Sequence, residues 1–326
     1  MARRPHPRST NPGASADGAI ERIAALPCWR GPVEVEPLSG GLSNLNFRVR
    51  CAGERFVARI GPAVTPHPID RAAEIAATRA AAEAGLCPEL VHAGAGALVL
   101  RHVDGRTLAA GDLADSGMLR RVADLLATCR ARMPALYRGP ALDRSLPAIL
   151  SHYAGLLGAR PNRWRAAARR LAADIRDAGA RLAGQTRGFV HNDIHAGNIL
   201  DDGERLWLVD WEYAGFGLPI GDLASLAVNG GFDATADTAL LALAAGRGFN
   251  VELYPAFAAA RLATALRDLL WGYAQDAFGG GFEASEAYIA VNEQRVRAAV
   301  QALGEGGGVS PITTASSIRD PLGGNN

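Results

Sequence analysis

The chain has 326 residues, 48% of them hydrophobic, with 34 basic and 33 acidic side chains and a formal net charge of +1. That length supports two lobes with one cleft between them, and the near-neutral balance gives no bulk electrostatic argument for nucleic acid or a membrane surface. Every basic residue is Arg and none is Lys, so a Walker A loop and a Schiff-base lysine are both excluded, and any cation gripping a phosphate must be Arg.

The four cysteines, Cys28, Cys51, Cys87 and Cys129, are far apart and show no zinc-type spacing with histidine. They read as buried free thiols in a reducing, cytoplasmic setting. No run of about 18 apolar residues exists, so no membrane span is expected. Residues 1–18 are rich in Arg, Ser and Pro and lack the apolar centre of a secretory signal; a disordered tail is expected there.

In chain order, Ile20 to Leu26 is a short helix candidate. Val33 to Leu38, Asn46 to Cys51 and Arg55 to Ile60 read as three strands, joined by Ser39-Gly40-Gly41-Leu42-Ser43-Asn44 and by the tight turn Ala52-Gly53-Glu54. Together they form an antiparallel meander. Ile69 to Ala84 is a helix ended by Gly85, and Leu98 to Val103 is a further strand. Near Asp104 the composition shifts to Ala-, Leu- and Arg-rich helical segments: Leu113 to Met133, Leu146 to Leu157, Trp164 to Leu182, Thr235 to Ala245, Val251 to Phe278 and Glu283 to Leu303. The expected architecture is α+β, with a β-rich lobe over residues 19–103, a helical lobe over 104–303, and a Gly/Ser/Pro-rich disordered tail over 304–326.

The helical half is interrupted by His191-Asn192-Asp193-Ile194-His195-Ala196-Gly197-Asn198-Ile199-Leu200, followed by Leu206-Trp207-Leu208-Val209-Asp210-Trp211-Glu212-Tyr213. Four residues separate Asp193 from Asn198, and a short apolar strand then delivers Asp210. Two carboxylates and an amide oxygen are hard ligands of the kind that suits Mg²⁺, which completes its shell with water and substrate phosphates. The spacing matches the catalytic loop of protein kinases, with Asp210 where their D-F-G Asp falls.

The stretch resembles the choline/ethanolamine kinase and aminoglycoside phosphotransferase family, whose motifs run H-x-D-x-x-x-x-N and then D-[FW]-E-Y. The resemblance covers roughly residues 20–300 and implies a protein-kinase-like, two-lobed fold that uses ATP and Mg²⁺. It implies that Asp193 is the catalytic base, that Asn198 and Asp210 hold the metal, and that His191 is a packing and hydrogen-bond anchor. His195 either lines the acceptor pocket or braces the loop.

For the nucleotide, the turn Ser39-Gly40-Gly41-Leu42-Ser43-Asn44 resembles the family's S-G-G-x-S/T-N. Residues without a Cβ let backbone N–H groups approach a phosphate. In Phe56-Val57-Ala58-Arg59-Ile60 the alternation sets Val57 and Arg59 on one face and Phe56, Ala58 and Ile60 on the other. Arg59 lies where protein kinases place their phosphate-gripping Lys, and a guanidinium serves two phosphate oxygens at once. Glu74 lies on the following helix, about where the family's pairing acid falls, so the resemblance implies an ion pair between Arg59 and Glu74; otherwise Glu74 is an ordinary exposed helix residue. The segment Leu98 to Val103 resembles the family's hinge strand, whose backbone would bond adenine.

For the acceptor, Glu212 and Tyr213 set a carboxylate beside an aromatic ring, a receptor suited to a cationic head group. Trp271, in Arg267-Asp268-Leu269-Leu270-Trp271-Gly272-Tyr273-Ala274, matches the first aromatic of the family's W-G-x-W helix, with core burial as the plain alternative. Ala274 stands at the second Trp and Tyr273 comes one position early, so an aromatic box would be incomplete. Asp222 is expected to cap the helix after it, and His152 and Tyr153 to be packing residues.

The expected activity is transfer of the γ-phosphate of ATP to a small, cationic hydroxyl compound, choline or ethanolamine first, with thiamine and aminoglycosides as rivals. A non-catalytic nucleotide-binding module stays open. A protein kinase is disfavoured, because residues 211–222 leave no room for a long activation segment. No nucleic-acid or membrane partner is expected, and the sequence does not set the oligomeric state.

Overall fold

The computed structural model describes residues 16–38, 44–61, 66–94, 96–247, 254–279 and 286–305. The turn residues Ser39, Gly40, Gly41 and Ser43 and most of both expected tails lie outside the described residues.

Helix α1 (Ala16–Ala24) precedes the meander β1 (Val33–Leu38), β2 (Leu45–Cys51) and β3 (Glu54–Ile60). Helix α2 (Arg71–Glu83) follows, N-capped by Asp70, whose side chain accepts the Ala73 N–H at 2.8 Å. Strands β4 (Leu90–Gly94) and β5 (Ala97–Arg101) complete an antiparallel sheet of order β1-β2-β3-β5-β4. Strand β1 is an edge and carries Glu34, Glu36 and Pro37; charge and a missing N–H discourage further pairing there. β3 alternates as its sequence requires. Phe56, Ala58 and Ile60 are buried with Phe47, Val49 and Val99 in a small core, while Val57 and Arg59 line the cleft.

The chain crosses to the second lobe at Gly105, against Asp201. A Cβ there would stand 2.5 Å from the Asp201 carbonyl oxygen, so the close passage requires glycine. The second lobe contains β6 (Arg106–Thr107), α3 (Ser116–Leu136), α4 (Leu146–Ala159), α5 (Arg165–Arg170), α6 (Ala172–Arg181), β7 (Gly188–Val190), β8 (Ile199–Asp201), β9 (Leu206–Leu208), β10 (Gly215–Gly217), α7 (Ile220–Gly230), α8 (Ala234–Ala245), α9 (Tyr254–Phe278) and α10 (Glu286–Glu305). Helix α9 packs against α4, α6, α7 and α10. Its Ala259, Ala260, Ala263, Leu266 and Leu270 are wholly buried, and the many small residues let four helices approach it. The alanine face of α2 joins this larger core, which ties the two lobes together.

The α+β, two-lobed expectation therefore holds. The helix expected over 164–182 is two helices, broken at Leu171. Strand β4 and helix α7 carried no clear periodicity: β4 is half-buried along its length, and α7 is buried on nearly every side, so neither alternates in polarity. Among the described residues no helix is long and apolar enough to cross a membrane.

Candidate active site

The lobes enclose a cleft of about 1180 Å³. Asp193, Asn198 and Asp210 all line it, with Arg59, Glu212, Tyr213, His195 and Trp271. The loop bearing Asp193 is stitched to the strand bearing Asp210. Val209 N–H donates to Asn198 O at 3.0 Å, and His191 Nε2 donates to Val209 O at 3.0 Å. The His191 ring also meets Trp211 edge-on at 4.6 Å, and its Nδ1 accepts the Asp193 N–H at 3.2 Å. Both His191 ring nitrogens are thus engaged by backbone, and burial pulls its pKa down to about 4, so the ring is neutral.

Asn192 and Asp210 both have left-handed backbones, φ 66° and 68°. Such values are uncommon outside glycine. Asn192 is held there by its own side chain, which donates to Arg144 O at 2.8 Å and Tyr213 O at 3.2 Å. The turn at Asp210 carries its carboxylate to Arg59 in the cleft.

Asp222 is not a helix cap. It lies inside the first turn of α7, and its carboxylate crosses to the loop, accepting the N–H groups of His191 (2.9 Å) and Asn192 (2.8 Å). The helix begins at Ile220, after Pro219, so Asp222 is too late to cap it. Replacing Asp222 with Ala would leave two buried N–H groups without an acceptor, each costing about 1–3 kcal/mol. We expect Asp222→Ala to lower the urea midpoint correspondingly and, because the loop carries Asp193, to reduce turnover at least ~10-fold. Asp222→Asn, which keeps one acceptor oxygen, should lose less on both measures.

Asn198 Nδ2 donates to Asp193 O (2.9 Å) and Asp193 Oδ2 (3.1 Å). Asp193 also has His195 Nε2 at 3.7 Å. Burial raises the Asp193 pKa, but His195, with Arg267 and His191 behind it, outweighs that and holds it at about 2. Burial likewise works against a charged His195, and Asp193 more than offsets it, so His195 is raised.

Arg59 ion-pairs with both Glu74 and Asp210, and lies 3.8 Å from Glu212. Burial opposes its charge, but Asp210 and Glu212 overcome that and raise its pKa. Glu74 is buried at 2% exposure, so it is not an ordinary surface residue. Glu212 accepts Asn44 Nδ2 at 3.0 Å and Arg71 Nη1 at 3.4 Å, and is buried among these donors, apart from the aromatic cluster described next. Burial, then the charge of Asp210, raises its pKa. Arg71, which also bonds Glu74 at 2.6 Å, was not singled out by sequence; nothing in its local pattern distinguishes it from a solvated helix residue.

At the other end of the cleft, Trp271 Nε1 donates to the Tyr213 hydroxyl at 2.9 Å. One face of Trp271 stacks on His67 at 4.8 Å and 8°, and its ring meets Tyr288 at 5.4 Å and 61°. His67 reaches across from the loop before α2: its Nδ1 accepts the Tyr153 hydroxyl (3.0 Å) and its Nε2 donates to Gln275 Oε1 (2.6 Å). Tyr153 is therefore a wall of the cleft and an anchor between lobes, beyond simple packing. Tyr273 points elsewhere, stacked on Trp164 at 4.3 Å with its hydroxyl donating to Glu293 at 3.0 Å, and Ala274 is wholly buried. The second aromatic at Trp271 is Tyr288 of α10, which sequence reading missed because it belongs to a different helix. It comes close because Gly272 has no side chain: a Cβ there would stand 3.1 Å from the Tyr288 ring.

His67 and His191 share one consequence. Burial depresses both to about 4 from an ordinary 6.5. A depressed histidine stabilises the fold above its unfolded pKa, and that stability is lost as pH falls from 6.5 towards about 4, here about 3 kcal/mol each when complete. Asp222, raised to about 6 by burial, acts in the opposite sense. The expected result is a flatter pH dependence of the urea midpoint for His67→Phe, which keeps a ring on Trp271, than for the wild type. Equal slopes would contradict a neutral, buried His67.

The donor set suits Mg²⁺ as an ion shared with a nucleotide. Asn198 uses its amide nitrogen on Asp193, leaving Oδ1, and Asp210 uses Oδ1 on Arg59, leaving Oδ2. Among the described residues no group of three or more His, Cys, Asp or Glu would hold a metal unaided. One carboxylate and one amide oxygen is the kind of partial shell that phosphate oxygens and water complete around Mg²⁺.

Known proteins resemble the chain in sequence and in fold. The phosphotransferase enzyme family model matches residues 34–263. A choline/ethanolamine kinase family protein from Mesorhizobium loti is 28% identical, with 89% of this chain and 94% of that chain covered and a TM-score of 0.67. The choline kinase LicA from Streptococcus pneumoniae is 21% identical over 89% of this chain and 100% of that chain, TM-score 0.73. A thermostable mutant of aminoglycoside phosphotransferase APH(4)-Ia, in ternary complex with AMP-PNP and hygromycin B, is 19% identical over 90% and 99%, TM-score 0.59. The fold is thus that of the protein-kinase-like enzymes. No curated protein is significantly similar to the chain.

Proposed function

The chain belongs to the phosphotransferase enzyme family, and on that premise we propose that it transfers the γ-phosphoryl group of ATP, with Mg²⁺, to the hydroxyl of a small amino alcohol. The observation that carries this is the convergence of Asp193, Asn198 and Asp210 on one cleft, with Arg59 paired to Asp210 and Glu74 across it.

Arg59 is the cation available to the nucleotide phosphates, kept in place by Glu74 when it leaves Asp210. Glu212, Asn44 and Arg71 brace this end, so we assign Glu212 to the nucleotide side and not to the acceptor. Ser39, Gly40, Gly41 and Ser43 would cover the phosphates from the turn. Asn198 Oδ1 and Asp210 Oδ2 would hold Mg²⁺, which when bound neutralises charge on the phosphate oxygens. Asp193, ionised and held by Asn198, takes the acceptor's proton. A base near pKa 2 suffices, because the hydroxyl becomes acidic as its oxygen bonds phosphorus and the proton moves late. His191 positions the loop, and His195 faces the acceptor beside Asp193.

Tyr213, Trp271 and Tyr288 offer aromatic surface to a cationic head group. Because His67 covers one face of Trp271, an ethanolamine-type ammonium is favoured over the bulkier choline and thiamine. An aminoglycoside is disfavoured by charge: the acids at this end, Asp193 and Asp268, already face His195 and Arg267 and leave no net negative field for a polycation. Incubation of the protein with Mg²⁺–ATP and a panel of alcohols, followed by ³¹P NMR, should yield a phosphomonoester resonance with amino alcohols. Nucleotide binding without any such product across the panel would instead favour a non-catalytic nucleotide-binding module.

A further inference from the structure

We propose that the acceptor carries an anionic group close to its ammonium, and that Arg295 on α10 receives it; this rests on the amino-alcohol phosphotransferase reading and narrows it. Among the described residues five arginines line the cleft: Arg48, Arg59, Arg101, Arg267 and Arg295. The first four each have a carboxylate partner: Glu36 for Arg48, Glu74 and Asp210 for Arg59, Glu54 and Glu89 for Arg101, and Asp268 for Arg267. Arg295 has none among the described residues. Its Nη1 donates instead to two neutral amide oxygens, Asn229 Oδ1 and Asn292 Oδ1, both at 3.1 Å. Asn292 is wholly buried and is itself fixed, its Nδ2 donating to Tyr288 O at 2.9 Å. Two held carbonyls orient the guanidinium without neutralising it. Its remaining N–H groups have no protein acceptor among the described residues, and a planar fork so held suits a carboxylate or similar oxyanion.

The companion charge is nearby. Residues 288, 292 and 295 share one face of α10, and all three line the cleft. Gly272 packs on Tyr288, and Asp268, about one turn earlier on α9, lines the same cleft as Asn292 and Arg295, which are about 5 Å apart along α10. Asp268 gives Oδ1 to Arg267 at 2.7 Å, and its Oδ2 has no protein donor among the described residues. An acid for an ammonium and a cation for an oxyanion thus line the same cleft as Asp193, the proposed base for the hydroxyl. A simple alcohol or a singly charged amine leaves Arg295 without a counter-charge; a hydroxylated zwitterion supplies one.

The test uses matched pairs that differ only by a carboxylate: ethanolamine with serine, and propanolamine with homoserine. Binding of each is measured calorimetrically to the full chain with Mg²⁺ and a non-hydrolysable ATP analogue. The zwitterion of at least one pair should bind about tenfold or more tightly than its partner, as expected for a charge-assisted contact. Arg295→Gln should bring that ratio close to one, and Arg295→Lys should retain part of it. A wild-type ratio near one, no measurable zwitterion binding, or a ratio unaltered by Arg295→Gln would overturn the proposal. Turnover separates the two readings: zwitterion preference without phosphoryl transfer sinks the kinase reading and leaves the Arg295 subsite standing, whereas transfer to amines without that preference does the reverse.

Discussion

Asp193→Asn should reduce the turnover number by roughly 10²–10⁴, the range for losing a positioned general base, while leaving nucleotide affinity within about twofold of the wild type. The carboxylate is ionised at neutral pH because His195, Arg267 and His191 together outweigh the cost of burying it. An asparagine has nearly the same shape and can still accept the Asn198 amide, so the loop should keep its form. What it lacks is the charge that attracts the departing proton. Stopped-flow nucleotide binding and steady-state turnover on the same preparation check both halves. Retention of more than about a tenth of turnover would contradict the base assignment, and a large loss of nucleotide affinity would place Asp193 at the wrong end of the cleft.

Asp210→Ala should abolish the Mg²⁺ dependence of nucleotide binding and lower kcat/KM by about 10³ or more, since a charge-stabilising ligand on the transferring phosphoryl is removed. Stability should change little, because Arg59 keeps Glu74 and lies close to Glu212, whose own charge is disfavoured by Asp210 in the wild type. Titration of a fluorescent ATP analogue with and without Mg²⁺ reads the first effect directly. The Arg59–Asp210 pair carries a related expectation: Mg²⁺ alone must compete with a guanidinium for that carboxylate, so divalent cation should bind weakly until nucleotide draws Arg59 away.

The nucleotide end was more legible in sequence than the acceptor end, and the difference is physical. Asp193, Asn198 and Asp210 sit on a tight loop and the end of the following short strand, so local spacing alone brings them close. The face shared by Val57 and Arg59 follows from strand alternation, whereas the pairing of Arg59 with Glu74 was legible only through the family resemblance. The acceptor end is assembled from α4, α9, α10 and the loop before α2, elements distant in the chain. Nothing in the local pattern announces that His67 lies on Trp271, or that Tyr288 and not Tyr273 is its aromatic neighbour. Helical periodicity shows that Tyr288, Asn292 and Arg295 share a face of α10, but not that this face lines the cleft. Glu212 is the converse case. Its place next to Tyr213 suggested a shared ligand, yet consecutive residues after a sharp turn diverge, one towards Arg59 and Arg71 and the other towards Trp271. Asp222 does accept N–H groups, as expected of a cap, but they are those of His191 and Asn192, because α7 has already begun at Ile220.

The most direct test of the account is a single-turnover experiment with excess protein, γ-labelled ATP and an amino alcohol, quenched over milliseconds to seconds. Label should move from ATP into an alcohol phosphomonoester in one Mg²⁺-dependent phase, slowed by roughly 10²–10⁴ in Asp193→Asn although that variant binds the nucleotide. Label that stays in ATP, or that appears as inorganic phosphate at the same rate whether or not the alcohol is present, would contradict it.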